Sequence, residues 1–301
     1  MDINHLNERF SIAGQLVIVE GNGGFPFIHI HNQHADALIS LYGGQILSYR
    51  PKGHDELMFL SKKAFFEEGK AIKGGVPVCW PWFGPHPTEK SLPAHGFVRN
   101  RMWKVVHTET TQDAATRVSL GIESSPETLS MWPHNFRLTL DITVGKTILL
   151  KLTTRNTGDQ HFSISQALHS YFSVGDISLT TLSGLDAKQY IDKTDNGVTK
   201  TQHGDVTVHT EVDRVYYDVP ASLTIADKSN QRHIEITSEG NNTAVVWNPW
   251  SKISIASADL LDDDYQRFLC VETANALMDV VEIPAGNEYS LITEIGIHFD
   301  N

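Results

Sequence analysis

The feature that most constrains this sequence is its periodicity. Short runs of β-branched, aromatic and aliphatic residues recur from the first tens of residues to the end, each closed by turn residues. Early examples are Leu16-Val17-Ile18-Val19, Phe27-Ile28-His29-Ile30 and Ala37 to Tyr42; Val118 to Ile122, Phe136 to Ile142 and Thr147 to Leu152 follow. Later ones are Leu223 to Ala226, His233 to Thr237, Ala244 to Trp247 and Leu291 to Ile297. Gly21-Asn22-Gly23-Gly24, Val144-Gly145-Lys146 and Asn156-Thr157-Gly158-Asp159 supply turns between them. Alternating strands with polar turns and no long helical stripe bury themselves by packing sheet on sheet, which predicts an all-β sandwich or barrel. Helix candidates are few: Ala64 to Gly69, Glu127 to Trp132 and the N-terminal tail. With no low-complexity linker and no fixed repeat, residues 1–301 are read as a single domain.

Size and charge narrow the function. A chain of 301 residues, 40% hydrophobic and 20% charged, buries a sizeable core without staples. No run approaches the ~20 apolar residues of a membrane helix, and Met1 to Phe10 lacks the apolar run of a signal peptide. The two cysteines, Cys79 and Cys270, sit in apolar strand-like runs and are expected to be buried, reduced thiols of a cytoplasmic protein. A net charge of −12 argues against nucleic acid or an anionic membrane as partner. An anionic substrate would need basic residues gathered locally.

Five segments break the strand pattern. Ile72 to His86 (IKGGVPVCWPWFGPH) packs three prolines, three glycines and three aromatic rings around Lys73. Flat apolar faces suit the C–H side of a pyranose, although a buried structural loop has the same composition. Leu92 to Trp103 (LPAHGFVRNRMW) supplies His95, Arg99 and Arg101; in extended chain the two arginines share a face and, with Lys73, form a candidate anion pocket. Surface arginines are the plain alternative. Ser165 to Phe172 carries His169 among apolar and hydroxyl residues, either a hydrogen-bonded core histidine or a general acid. In Phe268 to Asn275, alternation sets Glu272 beside buried neighbours, where a carboxylate must be paired or shifted in pKa. Asp213, in Glu211 to Tyr217, fits a substrate contact or an edge-strand salt bridge.

Two other clusters carry less. His29, His31 and His34 resemble part of a metal site, but zinc needs a third ligand in place and a fixed second shell, so no metal is expected. Asp262-Asp263-Asp264 lacks the alternating ligands of a calcium loop and reads as a solvated turn.

Taken together, the segments resemble the glucose-6-phosphate 1-epimerase family, or hexose-6-phosphate mutarotases, of the galactose-mutarotase-like superfamily. The resemblance rests on Gly74 to Gly84, Leu92 to Asn100, Ala167 to Phe172, Asp213 to Tyr216, Trp247-Asn248-Pro249 and Cys270 to Thr273, in family order. It implies a large, twisted antiparallel β-sandwich (a supersandwich) with few short helices, and neither metal nor cofactor. By the same analogy His169 and Glu272 match the catalytic pair, Arg99 and Asp213 fall on substrate-binding positions, and His95 falls on the pocket histidine. One departure is Lys73, where the family usually has arginine; it keeps the charge and loses the fork. The implied reaction exchanges the α and β anomers of a hexose 6-phosphate, with Glu272 as base and His169 as acid on opposite sides of the sugar. A non-catalytic carbohydrate binder is the rival reading, and glycoside hydrolysis, which wants two carboxylates, the more distant one. The expected partner is a small sugar phosphate, met by a monomer.

Overall fold

Alternation becomes one-sided burial in the folded chain. The structure is a computed structural model and describes residues 2–299. Phe136–Val144 shows the rule: Phe136, Leu138, Leu140, Ile142 and Val144 are buried while Arg137 is exposed. Every strand named from the sequence falls on a sheet strand, with ends that differ by up to four residues.

Two large antiparallel sheets dominate. A nine-stranded sheet runs in the order Val206–Thr207, Thr180–Ser183, Ser222–Asp227, Arg232–Glu239, Glu288–Phe299, Ile148–Asn156, Phe136–Val144, Thr116–Glu123 and Lys104–Thr110. An eight-stranded sheet runs Val198–Thr201, Gln189–Asp192, Val212–Tyr217, Thr243–Asn248, Phe268–Asn275, Gln166–Leu168 and Val78–Cys79, with Tyr171–Ser173 also paired to Phe268–Asn275. A four-stranded meander, Leu16 to Pro51, extends the sandwich. One apolar core draws Leu138, Leu140 and Ile234 from the nine-stranded sheet, Val246, Leu269 and Val271 from the eight-stranded sheet, and Ile28 and Ile30 from the meander.

The eight-stranded sheet therefore has two different faces. Leu269 and Val271 point into the sandwich core; Phe268, Cys270 and Ala274, on the alternate face, meet separate small clusters that include Phe59, Tyr171, Trp247 and Phe83. All eight residues of Phe268–Asn275 are buried, because loops cover the face turned away from the core. The candidate residues His169, Glu272 and Asp213 stand on that covered face.

Two of the three expected helices form, and other local readings are corrected. The tail forms a helix, Ile3–Phe10, capped by the Asp2 carboxylate on the Asn4 N–H at 2.9 Å, and Pro126–Met131 is a helix closed by a Ser125/Thr128 capping box. Ala64 to Gly69 is a turn segment instead of a helix, since Ala64 and Phe66 are drawn into a satellite cluster with Phe25, Phe27 and Tyr42. The helix Trp250–Ala256 was not expected. Asp264 is no solvated turn residue: it is 3% exposed and accepts from the Ser61 hydroxyl at 3.0 Å and the Leu261 N–H at 2.7 Å. His31 engages Asp36 and Lys52, and His34 meets the Asp113 carbonyl, so these histidines serve local surface contacts. Cys79 and Cys270 are both free and fully buried, as expected.

Candidate active site

Register explains how two residues a hundred positions apart become neighbours. Leu168 pairs with Thr273, and Tyr171 pairs with Cys270, in one continuous antiparallel register on Phe268–Asn275. Carried through the gap between them, that register sets His169 directly opposite Glu272. The strand is interrupted where the Ser170 N–H turns back to the Leu168 carbonyl at 3.0 Å, while the His169 N–H bonds the Pro77 carbonyl on the other side at 3.0 Å. The His169 Nε2 lies 3.3 Å from Glu272 Oε1, with the histidine 8% and the glutamate 2% exposed.

The next row across the same face completes the surroundings. Cys270 pairs with Trp247 and Trp247 with Asp213, while Tyr171 flanks Cys270 on the other side. Lys193 follows the end of Gln189–Asp192, whose Asp192 pairs with Arg214; one step further puts Lys193 opposite Asp213, and its Nζ lies 3.4 Å from Asp213 Oδ1. Tyr171 stacks on the His169 ring at 4.8 Å and 9°, and Trp247 stands edge-on to it at 6.2 Å. The imidazole is thus held between rings.

The two glycine- and proline-rich segments supply the wall. Trp80 and Gly96 form a parallel bridge, and a Cβ at Gly96 would sit 1.8 Å from the Trp80 carbonyl oxygen, so only glycine fits. Beside it His95 adopts φ 63°, an uncommon region for a non-glycine residue and one that concentrates at functional sites. His95 Nδ1 accepts from the Gly84 N–H at 3.3 Å, which leaves the ring proton on Nε2. Its ring lies 6.0 Å from His169 and edge-on to Phe83 at 4.7 Å.

Positive charge gathers at one side. Lys73, Arg99 and Lys70 line a cavity of about 280 Å³ with Phe65, Pro77, Tyr171 and Asp259. Arg99 Nη2 donates to the Ala94 carbonyl at 2.8 Å, and its buried Nε lacks a hydrogen-bond partner. Arg101 does not share this cavity. Val98–Asn100 forms a 3-10 turn, so the extended alternation that would align the two arginines fails. Arg101 instead pairs with Glu127 at 2.7 Å and lines a separate hollow of about 800 Å³ beside Tyr42 and Met131.

Electrostatics follow from burial. Desolvation pushes the Glu272 carboxyl well up; Asp213 adds to the rise, while Lys193 and Arg99 oppose it. Desolvation pushes His169 well down, helped by His95, Arg99 and Lys73. Burial, with Arg99, Lys193 and Lys73 nearby, holds His95 at about 3, so it is a neutral hydrogen-bond donor. Burial raises Asp213 against the pull of Lys193. With one partner raised and the other lowered, the two groups titrate as a coupled pair, whose one-proton state is either neutral imidazole with carboxylic acid or imidazolium with carboxylate.

The structure brings His95, His169 and Glu272 together, with Asp213 one row away and Lys73 and Arg99 in the adjoining cavity. The imidazole and carboxylate stand side by side instead of across a ring. Lys193, Tyr171, Phe83 and Asp259 had been given no role. Tyr171 and Phe83 lay inside segments already singled out; Lys193 depends on the long-range pairing of Gln189–Asp192 with Val212–Tyr217, which no local motif reports.

Two proton-carrying groups on one sheet face, enclosed by flat rings, suit chemistry in which protons alone move on a sugar, and the supersandwich agrees with a sugar epimerase. The chain belongs to the aldose 1-epimerase family, whose model matches residues 26–296. A Cenchrus ciliaris protein named "Putative glucose-6-phosphate 1-epimerase" is 38% identical over 262 residues, 84% of this chain and 78% of that protein. An Escherichia coli protein of the same name is 38% identical over 252 residues, 83% of each. Among solved structures, a "putative mutarotase (YeaD)" from Salmonella typhimurium superposes with a TM-score of 0.90 at 31% identity, covering 99% of both chains.

Proposed function

We propose that the chain interconverts the α and β anomers of a hexose 6-phosphate, glucose 6-phosphate first among them, by acid–base ring opening and reclosure. The observation that carries the reading is the 3.3 Å approach of His169 Nε2 to Glu272 Oε1 in a buried, ring-lined site. The hydroxyl at the anomeric carbon and the ring oxygen are bonded to the same carbon, so an adjacent acid and base can each reach one, within roughly 2.6–3.2 Å. In the imidazolium–carboxylate state, Glu272 takes the anomeric hydroxyl proton and His169 gives its proton to the ring oxygen. The C1–O5 bond breaks and the aldehyde forms. The pair is left as carboxylic acid and neutral imidazole, which is the state that reclosure needs: rotation about C1–C2 presents the other face, Glu272 returns its proton and His169 takes one back. No net proton is gained or lost.

The binding roles follow from charge and position. Lys73 and Arg99 receive the phosphoryl group, supported by their shared cavity and by the names of the relatives. The neutral His95 donates through Nε2 to a sugar oxygen, and Asp213 accepts from hydroxyls. The two fully buried, unpaired cysteines suit a reducing, cytoplasmic setting. Anomer-exchange NMR with glucose 6-phosphate, galactose 6-phosphate and glucose side by side tests the reading. Exchange accelerated on a phosphorylated hexose supports it; sugar binding without faster exchange refutes it.

A further inference from the structure

The cavity that holds Lys73 and Arg99 is not purely cationic. Asp259 shares its wall, with Oδ2 3.5 Å from Lys73 Nζ, and the two side chains are 21% and 25% exposed. Asp259 lies in the turn after the helix Trp250–Ala256, and its neighbour Leu260 anchors that turn. Leu260 is 1% exposed and packs with Phe59, Tyr171, Phe268 and Cys270, the cluster directly behind the site. The carboxylate is therefore held at the cavity by a buried side chain next to it.

An anion at this place works against the proposed ligand. Lys70 is already engaged by Glu67 at 2.8 Å and lies over the Phe65 ring at 4.1 Å, and Lys73 is engaged by Asp259. A phosphoryl dianion entering the cavity must draw Lys73 away from Asp259 and sit near a like charge. A neutral hexose meets no such penalty, because an ionised carboxylate accepts from a 6-hydroxyl.

We propose that Asp259 is a specificity-determining residue: an internal counter-ion that occupies Lys73 in the free protein and sets how strongly a 6-phosphate is preferred over a 6-hydroxyl. This rests on reading the cavity as the seat of the phosphoryl group. With arginine in place of Lys73 a fork could serve a carboxylate and a phosphate together; the single ammonium of lysine has to divide its attraction between them. The single ammonium at Lys73 and the carboxylate at Asp259 thus act in the same direction.

The test measures kcat and KM for anomer exchange of glucose 6-phosphate and of glucose, in the intact protein and in Asp259→Asn. The preference for glucose 6-phosphate, as a ratio of kcat/KM values, should rise by about tenfold, carried by a lower KM for the phosphorylated sugar. Asp259→Ser provides the same readout if the amide variant fails to fold. A ratio that is unchanged or lower, including equal losses on both sugars from a merely structural role, overturns the inference. Intact protein with no activity on glucose 6-phosphate would instead refute the function on which the inference rests, so the two failures are distinguishable.

Discussion

His169 stands where the pairing of Gln166–Leu168 with Phe268–Asn275 would put it one step further on, and its imidazole meets Glu272 there at 3.3 Å. The strand breaks at the residue proposed as the acid. Its backbone N–H goes to Pro77 and its side chain is free to face the carboxylate.

A pair that works with one shared proton has a bell-shaped pH–rate profile, since a second proton blocks the base and loss of the first removes the acid. Lys193 lies beside Asp213 and favours the ionised form of Glu272. Removing that cation makes the shared proton harder to lose, so Lys193→Met should move the basic limb to higher pH. Rates measured across pH for both proteins check this; a basic limb that stays put or moves down contradicts the electrostatic role.

Stability should show the cost of the buried carboxylate. The folded state holds the Glu272 carboxyl well above its ordinary value of 4.5, so the unfolded chain ionises first as pH rises. Between the unfolded and folded values the native state keeps a proton that the unfolded state has lost, and stability falls with rising pH. Glu272→Gln cannot ionise. It should melt at a higher temperature than the parent at pH 8, with the gap closing as pH approaches 4. Thermal melts at both pH values decide it, and a variant less stable than the parent at pH 8 counts against the assignment.

The phosphate reading separates substrates. Arg99→Ala should cut kcat/KM for glucose 6-phosphate by about 10–100-fold, the equivalent of one or two charge-assisted hydrogen bonds, and affect glucose far less. Lys73→Arg should lower KM for the phosphorylated sugar by supplying a fork. Steady-state kinetics on both sugars measure each effect; equal losses on the two would rule out a phosphate role for Arg99.

The strands were legible because alternation is local: Phe136–Val144 buries every second residue, and that pattern is visible in the chain itself. Glu272 was legible for the same reason, a carboxylate in a run that alternation buries. Where packing decided, the sequence was silent. Ala64 to Gly69 lost its expected helix to a cluster around Phe25 and Tyr42. Trp250–Ala256 gave no signal, since of its seven residues Ser254 is buried and Ile255 is 61% exposed, which leaves no apolar stripe. Arg101 was misplaced beside Arg99 by one 3-10 turn. Lys193 and Asp259 reach the site through a pairing of non-consecutive strands and a turn anchored by Leu260, and neither relation is written in neighbouring residues.

The most direct measurement is the rate of α–β exchange of glucose 6-phosphate by saturation-transfer NMR, comparing the parent with folded His169→Ala and Glu272→Gln. Each substitution should slow exchange by roughly 10²–10⁴-fold, and the double variant should be little slower than either, because the two groups handle one proton between them. Exchange by either single variant at the parent rate would contradict the account.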